Sequence, residues 1–321
     1  MGEMFLRSVL AQEEAITAST IVTYDLPVLP LSHILLTFRW QDGAVLGNAG
    51  NPIADLLSFI DRIEVLLRGS SIYSLNGEDS FYMGQLITKM APHMINVVNG
   101  ATERHYLTWL IPFGRKPYNR GECFPATARG QLQLQITYAA AVGTVDTPAV
   151  IIETVELPEA TPARFLKTTT LSVTPSAAGD FDLELPIGNP IVGVGLFATT
   201  VPTGASTNRS IGELRLLVDN KEMMYAKSNW ESFHSEAMMR APMMLNIDRH
   251  THAQDANTDT VTGQQLLGII GRNQYAYLDF DPLMDDTYML ETAGKSRVNL
   301  RINAEGVNDA IRAMPIEWMQ V

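Results

Sequence analysis

Two short stretches of the chain share one pattern: residues 131–136 read QLQLQI, and residues 297–302 read RVNLRI. In both, polar and apolar residues alternate with a period of two, as in a β-strand that buries one face. The two stretches lie in opposite halves of a chain of 321 residues. The pair therefore suggests that the second half of the chain repeats the first.

Other segments also match between the halves, and they do so in the same order along the chain. The matched pairs are 24–27 with 182–186, 34–38 with 191–197, 63–67 with 214–218, 72–74 with 224–226, 106–112 with 276–282, and 150–153 with 314–317. Their spacing changes only between the matched segments, where loops tolerate insertions. A preserved order of this kind indicates an internal repeat.

Each half has the composition of a unit made of short strands, with Pro, Gly and Asn between them. One helix is expected in each unit, near Ser80–Met90 in the first and near Asn229–Met239 in the second. Strands around one core with a single inserted helix are typical of a jelly-roll sandwich. The sequence thus predicts an all-β chain of two tandem jelly-roll β-barrels, each with a helix inserted between strands.

The repeat also suggests domain boundaries. The first jelly roll is predicted to cover 19–157, a short proline-containing linker 158–165, and the second jelly roll 166–321. Residues 1–18 are expected to form a helical segment, because the apolar side chains near its start would share one helical face. We expect this helix to dock on a barrel, with contact to a membrane as the alternative.

Composition excludes several classes of protein. Hydrophobic residues make up 46% of the chain and charged residues 18%, which favours a folded protein with a large core. Lys and Arg number 23 against 35 Asp and Glu, so the net charge is −12. Neither half is basic, and we expect no direct binding to nucleic acid, which needs a basic surface. The single cysteine, Cys123, excludes an internal disulfide.

The repeat and its strand pattern resemble the double jelly-roll major capsid proteins of tailless viruses with an internal lipid membrane, including corticovirus-like and finnlakevirus-like bacteriophages. The resemblance extends from about Thr20 to Val321 and rests on architecture, not on a short motif. It implies a homotrimer whose six barrels approximate a hexagon and tile an icosahedral shell. It also implies contacts with neighbouring trimers, with penton or spike proteins and with the internal membrane.

The expected location is the virion capsid, after synthesis and assembly in the host cytoplasm. The first residues, Met1–Leu6, lack the basic region of a secretory signal, and no apolar run is long enough to cross a bilayer.

A group of carboxylates surrounds Pro282 in the second half. Such groups can bind calcium through their oxygens, which makes a structural calcium ion the one cofactor considered. The candidate ligands are Asp279, Asp281, Asp285 and Asp286. The favoured interpretation of this segment is a solvated acidic loop without a metal.

The equivalent loop of the first half is basic, with Arg115, Lys116 and Arg120. Opposite charges on equivalent loops would allow the basic loop of one chain to pair with Asp285 and Asp286 of another. These five residues are therefore the predicted interface residues. The hypothesis is that the first barrel of one chain pairs with the second barrel of another.

Two motifs could indicate catalysis, and both are discounted. Gly193–Ala198 begins like a dinucleotide-binding fingerprint, but no helix follows to receive a phosphate. His250 and His252, with Asp255 nearby, resemble the metal ligands of bicupins, yet they fall in a polar loop and no later histidine follows. We therefore expect no catalytic residues, with a bicupin-like metal-dependent enzyme as the alternative function.

A second alternative is a two-domain β-sandwich that binds carbohydrate, such as a virion spike protein. Sugar binding would call for exposed aromatic platforms. The tryptophans are expected to pack in cores or interfaces instead; they are Trp40, Trp109, Trp230 and Trp318.

Overall fold

The computed structural model describes residues 4–42, 56–95, 104–140, 145–202, 207–240, 253–255, 258–260 and 274–321. The chain divides into two compact units. The first is built on Met1–Phe165, and the second on Leu166–Ala241 with Asn273–Gln320. Among the helices in these ranges, none is long and apolar enough to cross a membrane.

The first unit is a pair of antiparallel sheets. Its strands are β1 (Leu6–Ala15), β2 (Ile21–Asp25), β3 (Leu31–Asp42), β4 (Ile60–Leu67), β5 (Ser70–Leu75), β6 (His93–Ile95), β7 (Arg104–Pro112), β8 (Leu132–Tyr138) and β9 (Val145–Glu156). One sheet has the order β1-β9-β3-β7-β6, and the other has the order β2-β8-β4-β5. Alternate residues of β8 are buried, as its polar and apolar alternation predicted.

The second unit is also a pair of sheets. Its strands are β10 (Arg164–Thr169), β11 (Leu171–Val173), β12 (Gly179–Glu184), β13 (Ile191–Ala198), β14 (Ile211–Val218), β15 (Lys221–Glu222), β16 (Ser228–Asn229), β19 (Tyr275–Asp279), β20 (Val298–Ala304) and β21 (Ile311–Gln320). One sheet has the order β19-β13-β21-β10, with β11 also on β21, and the other has the order β12-β20-β14-β15, with β16 on β14. A separate hairpin joins β17 (Ala253–Asp255) to β18 (Thr258–Thr260).

The two units share one topology. If the short strands β6, β11 and β16 are set aside, the strands of each unit can be numbered 1 to 8 in chain order. One sheet of each unit then has the order 1-8-3-6, and the other has the order 2-7-4-5. This agreement confirms the all-β fold and the internal repeat that the sequence predicted.

Strand registers give the correspondence between the units residue by residue. Leu31 at the start of strand 3 pairs with Glu156, and Ile191 in the same place pairs with Glu317. Both pairings are followed by the same bulge, because His33 and Gly193 are the next paired residues in their strands. Glu156 therefore corresponds to Glu317.

Sequence comparison alone had placed several segments out of register. It aligned Glu153 with Glu317, where the structure aligns Glu156. In strand 6 it aligned 106–112 with 276–282, whereas the partners of His33 and Gly193 are Pro112 and Asp279. Strands 2, 4 and 7 were aligned correctly, since Ile63 and Ile136 pair in the first unit just as their predicted equivalents pair in the second.

Within the described residues, a helix lies between strands 5 and 6 of each unit, close to the two stretches of sequence in which a helix was predicted. Helix α1 (Gly77–Thr88) packs against β7 and β4, and helix α2 (Trp230–Arg240) packs against β19 and β14. The side chain of Asn76 caps α1 by accepting a hydrogen bond of 2.7 Å from the backbone N–H of Asp79. The helices therefore follow the strand order of the repeat.

The N-terminal helix predicted for residues 1–18 is wrong, because Leu6–Ala15 form the strand β1. β1 pairs with β9 along its length, from Leu6 opposite Glu156 to Ala15 opposite Ala149. Side-chain contacts hold the strand in place, including two hydrogen bonds from Arg7 to Glu153. Tertiary pairing has overridden a local preference for helix. The first unit therefore begins at β1, before the predicted boundary at residue 19.

The core of the second unit contains a close approach at Gly193. A Cβ atom added there would lie 2.3 Å from the hydroxyl oxygen of Tyr277 and 2.8 Å from the carbonyl oxygen of Leu278. Glycine is therefore required by packing at this position inside a strand. The segment Ile191–Ala198 is a buried strand, and the described residues that follow it, 199–202, are not helical.

Candidate assembly surfaces

The loops between strands 6 and 7 are equivalent in the two units. In the first unit the loop spans residues 113–131 and returns to strand 3, where Phe124 and Leu31 exchange backbone hydrogen bonds of 2.9 Å. In the second unit the loop spans 280–297, and Leu290 and Ile191 exchange bonds of 3.1 and 3.0 Å. Both loops are thus tied to the same point of their barrels.

The exposed part of the first-unit loop is centred on Tyr118. Its backbone N–H donates a hydrogen bond of 2.8 Å to the hydroxyl of Ser32, and its backbone adopts a left-handed conformation with φ of 66°. The Tyr118 ring contacts Phe5 edge to face at 5.3 Å. Phe5 is 54% exposed and Tyr118 is 48% exposed, so two aromatic rings from different segments share one patch of surface.

Arg115 is not on that surface. Its side chain is buried and forms an ion pair with Glu122, in which Nε donates to Oε2 at 3.2 Å and Nη2 donates to Oε1. Arg164 donates to the same Oε1 at 2.8 Å. The prediction of Arg115 as an interface residue is therefore wrong for this conformation, because its guanidinium is used inside the unit.

The charge of Glu122 depends on these two arginines. Burial alone would raise the pKa of the Glu122 carboxyl, but the hydrogen bonds and charges of Arg115 and Arg164 hold it below its usual value. The carboxylate therefore stays ionised and keeps Arg115 in place.

Lys116 and Arg120 are the other two basic residues that were predicted to lie at the interface. Lys116 is exposed. Arg120 is partly exposed, lies 3.6 Å from the carboxylate of Glu159 and also donates to the Glu159 backbone carbonyl. Lys116 is thus the more accessible of the two cations.

In the second-unit loop the carboxylates have separate roles. The buried Asp281 carboxylate accepts backbone hydrogen bonds from Asp285 at 3.1 Å and Asp286 at 3.0 Å, so it shapes the turn. Asp279 accepts from the guanidinium of Arg240 at 3.3 Å. Within the described residues, no three His, Cys, Asp or Glu side chains group as they would around a metal ion. The four predicted calcium ligands are thus not assembled into a calcium site.

The same loop carries exposed apolar residues as well as an exposed carboxylate. Leu283 is 63% exposed and Tyr288 is 54% exposed. Asp285 is exposed as well, and hydrogen bonds from Thr287 lower the pKa of its carboxyl. This loop therefore combines apolar surface with negative charge, as the first-unit loop combines it with positive charge.

The sequence did not single out the buried carboxylates at the end of strand 8. Glu156 accepts a hydrogen bond of 2.6 Å from the hydroxyl of Ser8. Glu317 accepts 3.0 Å from the ammonium of Lys167 and 3.1 Å from the amide of Asn189. Correct alignment of strand 8 would have revealed the pair, since both units then have Glu at the same position.

The two alternative functions, a metal-dependent enzyme and a carbohydrate-binding protein, depend on particular histidines and tryptophans. His250 and His252 lie outside the described residues, and for Asp255 only the backbone strand is described. His33 is buried, and burial with the nearby charge of Arg7 lowers its pKa to about 4. All the tryptophans are at most 2% exposed, which leaves no tryptophan platform for a sugar; they are Trp40, Trp109, Trp230 and Trp318.

Comparison with known proteins gives matches in structure and not in sequence. No family model matches the chain, and no curated protein matches it. The STIV MCP, from Sulfolobus Turreted Icosahedral Virus, superposes with a TM-score of 0.68 at 14% identity over 99% of this chain and 97% of its own. The major capsid protein P2 of Bacteriophage PM2 gives 0.61 at 11% identity over 99% and 98%. PBCV-1 VP54 gives 0.60 at 11% identity over 99% and 94%.

The chain has the double jelly-roll fold. The match covers nearly the whole of both chains in each comparison, so both jelly rolls take part. At this level of identity, 11–14%, the likeness concerns the fold.

Proposed function

We propose that this double jelly-roll protein is a major capsid protein, the structural subunit of an icosahedral virion shell. The observation that carries the proposal is the match of nearly the whole chain to the STIV MCP and to the major capsid protein of Bacteriophage PM2. Both units match in the same order along the chain. The likeness therefore extends over two tandem jelly rolls and is not limited to a single β-sandwich, which many unrelated proteins contain.

The subunit is proposed to form homotrimers in which two similar barrels per chain produce a pseudo-hexameric block. Closed rings of like chains satisfy every interface. Neighbouring trimers, penton or spike proteins and an internal membrane are the further proposed partners. The net charge of −12 supports a shell that does not bind the genome directly.

An enzymatic role is not part of this proposal. The surfaces of the described loops are apolar and charged, and the Asp281 and Asp285 carboxylates accept hydrogen bonds from the backbone of their own loop. The bicupin-like enzyme and the carbohydrate-binding or spike protein remain alternatives that no observed side-chain arrangement favours.

The test is the native mass of the purified chain, combined with negative-stain electron microscopy of the same sample. A mass near three times 35.4 kDa, with particles of hexagonal outline or shell-like assemblies, is the expected result. A chain that stays monomeric at all concentrations would overturn the proposal. Stoichiometric bound transition metal on such a monomer would favour the enzyme alternative.

A further inference from the structure

We propose that the first-unit loop of one chain binds the second-unit loop of a second copy, through Phe5, Lys116 and Tyr118 on one side and Leu283, Asp285 and Tyr288 on the other. The inference rests on the proposed function, because it names the surface through which the subunits would associate. These two sets of residues are called the basic patch and the acidic patch below.

Apolar exposure is the first observation. The basic patch exposes Phe5 and Tyr118 by 54% and 48%, and the acidic patch exposes Leu283 and Tyr288 by 63% and 54%. Clustered large apolar side chains on a surface indicate an interaction site, and tyrosine is enriched in protein interfaces. Each patch therefore combines large exposed apolar side chains with a charged side chain of the same loop.

Charge complementarity identifies the occupant as a second copy of this chain. Lys116 is exposed on the basic patch, and Asp285 is exposed on the acidic patch with Asp286 next to it. Arg115 contributes no free charge, because Glu122 holds it inside the unit. Every copy carries one patch of each sign, so each patch finds its complement on another copy.

Both patches are held in shape before any contact forms. Backbone bonds join Phe124 to Leu31 and Leu290 to Ile191, so each loop is tied to strand 3 of its own barrel. Within the acidic patch, Asp281 fixes the turn that presents Asp285. Because ordering of loops costs affinity, preformed loops lower the cost of association.

A contact between two different patches is a heterologous interface. Repeated from copy to copy, it forms a closed ring when the last copy meets the first. A ring of identical chains then uses every basic and every acidic patch. This contact would therefore serve as the repeated interface inside the proposed trimer.

The experiment measures self-association of the full chain by sedimentation velocity over a range of protein concentrations. Lys116→Glu and Asp285→Lys should each raise the apparent dissociation constant by about tenfold or more, because each places like charges together. The double variant, which swaps the two charges, should return to within a few-fold of the unmodified chain. Lys221→Glu, at an exposed hairpin outside both patches, is the matched control and should leave association unchanged.

Thermal unfolding of each variant establishes that the fold is retained. Lys116→Glu should leave the Tm unchanged, and Asp285→Lys should lower it slightly, because the hydrogen bonds from Thr287 are lost. If the unmodified chain associates while both single variants associate equally well, the interface is wrong and the proposed function stands. If the unmodified chain stays monomeric, the proposed function itself fails. Rescue by the charge swap is the result that a general loss of stability cannot produce.

A membrane is the other occupant that a basic, aromatic patch could receive. Flotation with vesicles of anionic phospholipid distinguishes it. Loss of vesicle binding in Lys116→Glu with unchanged self-association would overturn the second copy as the occupant.

Discussion

At the scale of single residues, the buried carboxylate of strand 8 is a test of the barrel's stability. Glu317→Ala should lower the free energy of unfolding by about 1–3 kcal/mol, because Lys167 and Asn189 lose a charged, mostly buried acceptor. Glu184→Ala, which removes an exposed partner of Arg297, should cost less than about 1 kcal/mol. Urea unfolding of both variants measures the difference. Equal losses would show that burial of Glu317 adds nothing.

A second residue-scale prediction concerns pH and the cluster of Glu122 with Arg115 and Arg164. The folded-state pKa of Glu122 is lower than its ordinary value of 4.5, so ionised Glu122 stabilises the fold above that value. That contribution is lost as the pH falls through the lowered folded-state pKa. Glu122→Gln should therefore be less stable than the unmodified chain at neutral pH. The difference should shrink in acid, as urea unfolding across a pH series would show; a constant difference would contradict it.

Residue roles were the part least accessible to sequence reasoning. The charges of Arg115 and Asp281 are visible in the sequence, and both residues were predicted to face outward. Both are buried because a nearby partner, Glu122 or the backbone of the turn, accepts or donates the necessary hydrogen bonds. Which charged residue of a loop turns inward depends on such short-range pairings, and composition carries no information about them.

At the scale of elements, the strand β1 predicts a distinctive pattern of amide hydrogen exchange. In an antiparallel pair, only every second residue of an edge strand directs its N–H toward its neighbour. Protection in Leu6–Ala11 should therefore alternate from residue to residue. Residue-resolved exchange measures this. Continuous protection across Leu6–Ala15 would indicate a helix and contradict the strand.

A second element-scale prediction concerns the buried strand β13. Gly193→Ala should destabilise the second unit by about 1–3 kcal/mol, because the new methyl group would meet the Tyr277 hydroxyl and the Leu278 carbonyl. Gly121→Ala is the control, since its nearest neighbour would be the side chain of Asn119 at 3.6 Å. Thermal unfolding compares the two. A tolerated Gly193→Ala would mean that strand β19 can move away at little cost.

Elements were predicted best where one face is buried. Strand 7 alternates clearly in both units, and its register was predicted correctly. In the second unit, strands β19 and β21 are buried on both faces along most of their length, so no alternation exists to set their register. The N-terminal strand was missed for a related reason: its sequence favours helix locally, and only pairing with β9 makes it a strand.

At the scale of the whole molecule, charge predicts how assembly depends on nucleic acid. With a net charge of −12, the chain gains nothing from contact with phosphates, so its assemblies should form without them. Nuclease treatment should leave particle size unchanged in sedimentation and negative-stain images. Particles that fall apart under nuclease would contradict the prediction.

The overall architecture was predictable because it depends on the order of many elements, and that order survives changes at single positions. The two jelly rolls, their helices and their sequence in the chain follow from periodic patterns and their repetition. Surfaces do not follow in this way. Tyr118 and Leu283 belong to no periodic pattern, and their exposure results from the path of a loop.

The bulge at the start of strand 3 has a meaning for the ancestry of the chain. It occurs after Leu31 in one unit and after Ile191 in the other, although the two strands share few identical residues. An irregularity at the same step of both halves is what duplication of a single ancestral domain leaves behind. Duplication followed by divergence of the two sequences would explain why the backbone follows the same path in both units.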